Sequence, residues 1–405
     1  MIESMSDRML DSMADIWLLI PLVIAIFIGW LLGRNSAVGV SKPSSNSILN
    51  RDYFVGLDYL LNEKTDEAIE SFIRALEVNS DTIPAHLALA KLFRRKGDVQ
   101  RAISIHQDLL ARLDLSRSDS LRIQMALSLD YDSIGLLDRA ENLLKEIIKQ
   151  NPPRETHRKA LTLLTKLYEK EQEWAQAIET ARHLNSDEML NIRHECAHYY
   201  CELSEKLLKE KHYKEAAEYL KQGLLLDPLS VRISFLQAQV AMRQKQWKTA
   251  IRVLRKIEQQ DPVFLSEAIK DLKQCYIALH DKVEYEFFLR HCIAHTPSAT
   301  AILALAELIK DDQGVHAAGT FITDELKHRP SIKGFNRLIA MHIEHGSENA
   351  KDSLKTLRSL IGTLETNKPR YLCQQCGFSG RTLVWQCPSC KTWGTTKPIQ
   401  GLEGE

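Results

Sequence analysis

"HLALAKLFRRKGDVQRAISIHQDLL", residues 86–110, holds two amphipathic runs that break at Lys96-Gly97-Asp98. Small residues stand where the two runs would cross, at Ala90 and Ala102, and large ones between them, at Phe93, His106 and Leu109. Laid over "YFVGLDYLLNEKTDEAIESFIRALEVN", residues 53–79, the stretch aligns Gly56 with Ala90, Tyr59 with Phe93, Ala68 with Ala102, Phe72 with His106 and Ala75 with Leu109. Each pair lies 34 residues apart. Small residues let two helices of a hairpin approach closely, and large ones fill the groove to the next hairpin.

That period and pattern are those of the tetratricopeptide repeat. The small position recurs at Ala140, Ala177, Ala216 and Ala250, with Trp174, Tyr213 and Trp247 three residues before the last three. Pro152, Pro228, Pro262, Pro297 and Pro330 close hairpins, because proline cannot continue a helix. One repeat departs, with Tyr285 at the small position, while Ala318 and Ala350 suggest one full and one degenerate repeat after it. The expectation is an all-α solenoid of eight or nine repeats over 49–365.

The composition agrees. The 405 residues include only 17 glycines and 12 prolines, which suits helices. Lys plus Arg and Asp plus Glu both number 53, so no net charge draws the chain to nucleic acid or an anionic surface.

Upstream of the repeats, "IWLLIPLVIAIFIGWLLG", residues 16–33, carries no charge. At about 1.5 Å per residue it spans roughly 27 Å, close to a hydrocarbon core of about 30 Å. Trp17 and Trp30 stand near its ends, as interfacial aromatics do. The tail 1–15 is acidic, with Glu3, Asp7, Asp11 and Asp15 against Arg8, whereas a secretory signal peptide needs a basic start. The segment therefore reads as a single-pass transmembrane helix; a start at Met5 or Met13 would leave it intact. Arg34, Lys42 and Arg51 follow it, so the positive-inside rule puts the bulk of the chain on the cytoplasmic side. Residues 34–48 read as a Ser-rich linker.

Two motifs bear on chemistry. The first is His194-Glu195-Cys196-Ala197-His198, an H-E-x-x-H pentapeptide. In the repeat frame Ala197 is a small helix-A position, so the pentapeptide begins a repeat helix with partly exposed histidines. A third metal ligand at zincin spacing is missing, since residues 201 and 204 are Cys and Ser. A peptidase is not expected, nor any other enzyme, because no phosphate-binding loop, dinucleotide turn or nucleophile elbow occurs. Cys196, Cys201, Cys275 and Cys292 read as small core residues.

The second is "YLCQQCGFSGRTLVWQCPSCKTW", residues 371–393, with Cys373, Cys376, Cys387 and Cys390 in two C-x-x-C pairs. Four thiolates in a tetrahedron suit one zinc or iron ion. C-x-x-C-G and C-P-x-C are the knuckles of rubredoxin-like and zinc-ribbon sites, so 368–400 is expected to be a small rubredoxin-like metal-binding domain. A closed four-thiolate site favours a structural metal over redox chemistry. Tyr371, Phe378, Trp385 and Trp393 are expected to wedge it against the last repeat helices. Lys368, Arg370, Arg381, Lys391 and Lys397 read as a solvated face, so nucleic acid is not expected as a partner.

An anchor, "RDYFVGLDYLL", "HLALAKLFRRKGDVQRAISIHQDLL", "AHYYCEL" and the terminal "RYLCQQCGF…WQCPSCKTWGTTKPIQGL" together resemble the lipopolysaccharide assembly protein B family of Gram-negative bacteria. The resemblance implies an inner-membrane adaptor that works with the FtsH protease to promote degradation of LpxC, the deacetylase that commits precursors to lipid A. It implies a PbgA/YejM-type membrane antagonist and contact with other lipopolysaccharide assembly proteins, and leaves a homodimer open. It also makes Cys373, Cys376, Cys387 and Cys390 the metal ligands. Two readings from other classes stand beside it: a zinc-ribbon nucleic-acid binder and a rubredoxin-like electron carrier on a repeat scaffold.

Overall fold

The structure, a computed structural model, describes residues 25–28, 30, 45–78, 82–345, 348–402 and 404. The expected tail 1–15 and most of the expected anchor 16–33 lie outside these. Residues 25–28 and 30 are helical and exposed. Among the described residues no helix is long and apolar enough to cross a membrane.

The described chain is a series of helical hairpins. They are α1 (Ser45–Leu61) with α2 (Thr65–Val78), α3 (Ile83–Lys96) with α4 (Val99–Leu110), α5 (Arg117–Ser133) with α6 (Leu137–Lys149), and α7 (Arg154–Lys170) with α8 (Trp174–Arg182). After the single turn α9 (Ser186–Met189) come α10 (Arg193–Lys209) with α11 (Tyr213–Leu226), then α12 (Val231–Arg243) with α13 (Trp247–Arg255). The turn α14 (Ile257–Gln260) and a 3₁₀ turn at Pro262–Phe264 lead to α15 (Leu265–Ala278) with α16 (Lys282–His295). The series ends with α17 (Ala299–Gln313) and α18 (Val315–His328), then α19 (Ile332–His345) and α20 (Glu348–Asn367). Nine hairpins are thus described. Helix α1 starts inside the span read as linker.

The turn inside a hairpin has one recurring solution. A residue one or two positions past the end of the first helix takes a positive φ: Glu63, Gly97, Gly135, Gln172, Lys211, Lys245, His280 and Gly314. Around Gly97 the amide of Gly97 donates to Arg94 O at 3.1 Å and that of Asp98 to Phe93 O at 2.9 Å, the paired bonds that close a helix C-terminus. Trp174, Tyr213 and Trp247, aligned by the repeat, each begin the second helix.

Two compact units divide at residue 143. In the first, Ala68, Phe72, Ala90, Phe93 and Ala102 form one buried cluster. A Cβ on Gly56 would sit 3.0 Å from the Phe72 ring, so the small position there is sterically required. His106, at a large position, is fully buried with Asp130, its Nδ1 2.5 Å from Oδ2, and Arg94 donates to the other carboxylate oxygen at 2.7 Å.

The second unit has a larger core that runs through α12–α19 and includes Ala250, Leu254, Leu272, Phe288, Leu305, Ala318 and Ile322. Tyr285, the outsized residue at a small position, is buried there beside Tyr276, ring centroids 5.3 Å apart. Cys196, Cys201, Cys275 and Cys292 are all buried. Burial pushes the thiols of Cys196, Cys201 and Cys292 up to about 12 and that of Cys275 to about 11, which keeps them protonated. The chain ends in strands β1 (Tyr371–Cys373), β2 (Ser379–Gly380) and β3 (Thr396–Pro398), with β1 central and antiparallel to both.

Candidate metal centre and its seat on the repeats

The three strands are too short to hold themselves together, and two turns do the organising. After Cys376, Gly377 turns at φ +77°; after Cys390, Lys391 does the same at φ +60°. The amides of Gln375 and Cys376 consequently point at Cys373 Sγ, and those of Ser389 and Cys390 at Cys387 Sγ. All four sulfurs lie within 4.8 Å of one another. Cys373 and Cys390 are 3.8 Å apart and Cys376 and Cys387 3.6 Å apart. A tetrahedron with metal–sulfur bonds of about 2.3 Å has edges of about 3.8 Å. The donor set therefore fits one metal ion, and among the described residues no other group of metal-ligating side chains converges in this way.

Local donors favour thiolates here, unlike the four core cysteines. The Thr395 hydroxyl, 3.3 Å from Cys373 Sγ, holds that thiol down at about 6. Thr392 lowers Cys390, first through its side chain and then its amide. Burial pushes Cys387 the other way, to about 11. A bound cation would remove that proton.

The domain sits on the middle repeats. Trp393 donates its indole N–H to Glu169 Oε1 at 2.9 Å, and Gln386 donates to the same oxygen at 2.7 Å. Tyr199 donates to Glu169 Oε2 at 2.6 Å. One carboxylate at the end of α7 thus receives three donors, two from the metal domain. Trp385 stacks on Phe264 at 5.6 Å between centroids. Tyr371 donates to Glu267 at 2.8 Å, and Lys397 pairs with Asp261 at 2.7 Å. The expected wedge against the last repeat helices is corrected: Trp385, Trp393 and Tyr371 meet α7, α8, α10, α12 and α15, and Phe378 stays beside Gly380 of its own hairpin. Helix α20, about 30 Å long at 1.5 Å per residue, gives the chain the reach to return. Lys397, read as solvated, is an ion-pair partner instead.

Arg232 lies beneath both tryptophans. It is 3% exposed, its guanidinium 5.9 Å from the Trp385 ring centre and 5.7 Å from that of Trp393. Glu202 and Glu205 accept from it at 2.7 Å each, so the buried charge is neutralised as burial demands.

The H-E-x-x-H pentapeptide is part of this seat. His198 is 2% exposed, not partly exposed as expected, because the Trp393 ring stacks on it at 4.9 Å and 22°. Arg232 donates to its Nδ1 at 3.4 Å, which fixes the proton on Nε2; burial and Arg232 hold its pKa well below the usual histidine value. His194 Nδ1 instead meets Asp227 at 2.8 Å, and the Trp393 backbone also bonds the ring. Asp227 holds the His194 pKa above the usual value. Gly394, φ +65°, passes directly over both rings; a Cβ there would lie 2.8 Å from His194 Nε2 and 3.3 Å from His198 Nε2. The two imidazoles thus serve a close approach of backbone.

Sequence reasoning singled out the four cysteines that the structure brings together, but missed Glu169, Arg232 and Gly394 and the burial of His198. Arg232 had a detectable signal, a cation inside the apolar run "VRISFL" of a repeat helix. Glu169, in the polar run "YEKEQE", had none.

Fold and site together define a tetratricopeptide-repeat scaffold that carries a rubredoxin-like four-cysteine domain packed onto its own repeats. Residues 371–398 match the rubredoxin metal binding domain family, and residues 85–121 and 207–274 match tetratricopeptide repeat families. Lipopolysaccharide assembly protein B of Escherichia coli (strain K12) is 36% identical over 390 residues, 96% of this chain and 99% of that one. The Haemophilus influenzae protein of the same name is 33% identical over 397 residues, 96% and 98%. The chain belongs to the lipopolysaccharide assembly protein B family. Among solved structures, pilF of Pseudomonas aeruginosa aligns at a TM-score of 0.34 with 20% identity, covering 54% of this chain and 94% of that one.

Proposed function

We propose that this chain is a membrane-tethered adaptor of lipopolysaccharide assembly whose repeats deliver the deacetylase LpxC to the protease FtsH. Residues 16–33 are the tether. It confines the adaptor to the inner membrane with its protease and a PbgA/YejM-type antagonist, which raises their effective concentration. The names of the relatives support the link to lipopolysaccharide assembly.

The observation that carries the reading is the seat of the metal domain. Trp385 and Trp393 are committed to Phe264, His198 and Glu169, so the surface an electron carrier or nucleic-acid binder would present is spent on the repeats. Cys373, Cys376, Cys387 and Cys390 hold one zinc or iron ion. When bound, the ion fixes both knuckle turns, without which some 30 residues have no core of their own. Glu169, Arg232 and His198 then orient the domain, and Gly394 lets its backbone reach the repeat helix.

Replacing Cys373→Ser and Cys376→Ser at native expression tests this with three readings: bound metal, helical circular dichroism and deacetylase half-life. The metal should be lost, most helical signal retained, and the half-life lengthened toward that of cells lacking the chain. Normal turnover without the metal would make the knuckle dispensable. Normal turnover without the whole chain would remove the adaptor reading.

A further inference from the structure

We propose that an open cavity between the metal domain and helices α10, α12 and α15 holds an extended, acidic segment of the deacetylase. The inference rests on the adaptor reading and names the place where the repeats would grip their cargo. The cavity, about 480 Å³, lies wholly within the second unit.

What the cavity offers depends on which of its groups are already spent. Glu205 is taken by Arg232 at 2.7 Å and Glu267 by Tyr371 at 2.8 Å. Lys209, Gln239, Arg243 and Asp271 also line it, and their side chains make no hydrogen bond or ion pair with any described residue. The first three are exposed and Asp271 is half-buried. Lys209 and Arg243 are 34 residues apart, the same position in successive repeats, so they stand side by side on α10 and α12. Toward the metal domain the wall is apolar. Phe235 and Leu236 of α12 face Leu383 and Trp385, with the Phe235 and Trp385 rings 6.4 Å apart.

These groups choose the occupant. A carboxylate between Lys209 and Arg243 would gain charge-assisted hydrogen bonds from two cations that have no other acceptor. An apolar side chain against Phe235, Leu236 and Leu383 would leave water. Burial pushes the Asp271 carboxyl above its usual range, Lys270 only partly opposing it, and no described donor steadies its charge. A small carboxylate or phosphate brings Asp271 no donor. A peptide backbone does, and its N–H and C=O groups also match the two ends of the Gln239 amide. Arg243 stands eight residues after Phe235 on α12, about 12 Å at a rise of about 1.5 Å per residue. An extended chain, at ~3.3 Å per residue, crosses that distance in about four residues. The segment therefore carries an apolar anchor and an acidic residue about four positions from it.

The test uses the full chain in phosphatidylcholine nanodiscs and purified LpxC, with affinity read by biolayer interferometry at constant ionic strength. Lys209→Gln and Arg243→Gln should each weaken binding by about tenfold, the lower worth of a charge-assisted hydrogen bond, and Gln239→Ala by about threefold. All three side chains are exposed, so the fold should hold, and bound metal and circular dichroism check it. Lys248→Gln, an exposed cation outside the cavity, should leave affinity unchanged. A photoreactive benzoylphenylalanine in place of Gln239 should cross-link one deacetylase segment that holds an acidic residue near an apolar one. Exchanging that acid for lysine should weaken binding to wild type and restore it to Arg243→Glu. No binding by wild type would remove the adaptor reading and this occupant with it. Wild-type binding that all three cavity variants leave intact would overturn the cavity alone. So would a cross-link to a second copy of this chain, a cross-linked segment without an acid, or an exchange that fails to restore binding.

Discussion

Trp393→Ala should release the metal domain from the repeats without unfolding either. The indole is 4% exposed and stacks on His198. Truncating a buried tryptophan costs about 3–5 kcal/mol. In the docked form Glu169 would lose one of its three donors but keep Gln386 and Tyr199, and after release Tyr199 still donates to it, so no carboxylate is stranded. At about 1.4 kcal/mol per tenfold change, 3–5 kcal/mol lowers the docked-to-released ratio by roughly a hundred- to several-thousand-fold. Trp393→Phe separates the two contributions. It keeps an aromatic ring over His198 but loses the hydrogen bond to Glu169 and part of the indole's packing on Trp174 and Tyr199, so at least about 1.5–3 kcal/mol should go. Amide hydrogen exchange read by mass spectrometry is the assay, with peptides from 371–398 and from α10 followed in the same digest. The expected result is faster exchange at the inner face of α10 and across the domain's contact strands, graded Ala over Phe over wild type. Bound metal should stay near one equivalent. Unchanged exchange in Trp393→Ala would refute the seat as the source of docking energy. Loss of metal together with docking would show that the knuckle cannot hold its ion off the repeats.

Gly97→Ala places a Cβ on a residue at φ +90° and should destabilise the first unit by about 1 kcal/mol in urea denaturation. Equal stability would mean that this turn is not held left-handed. His194 titrates above its usual value because of Asp227, so the stability it adds is fully present below about pH 6.5 and is lost as pH rises through the raised value. The melting temperature of wild type should therefore exceed that of His194→Gln most at pH 6, with the gap closing toward alkaline pH. A gap that widened with pH would contradict the assignment.

The repeats were legible because a 34-residue period in small and large residues follows from how helical hairpins stack, and chance does not sustain it. The knuckle was legible because thiolate geometry requires C-x-x-C twice. Its location on the repeats was not. Glu169 and Trp393 are separated by 224 residues, and no local pattern encodes a contact at that distance. His198 was read as partly exposed, and its burial was hidden for a related reason. Helical spacing puts it and His194 on one face, as in a metal site, but a face is equally a floor for another part of the chain. At turns such as those of Lys211 and Lys245 the left-handed backbone was not legible, since lysine gives no hint of it.

The hydrogen bond between Trp393 and Glu169 also sets a timetable. A ribosome adding about 5–20 residues per second needs roughly 10–45 s to pass from one to the other. During that interval the emerging repeats can pair with their neighbours, yet His198, Arg232 and Phe264 have nothing to cover them. The aromatic and charged floor is then a sticky, incomplete surface until the stretch around Trp385 and Trp393 emerges as its lid. A product stalled before residue 371 would hold every described repeat helix and still expose that floor.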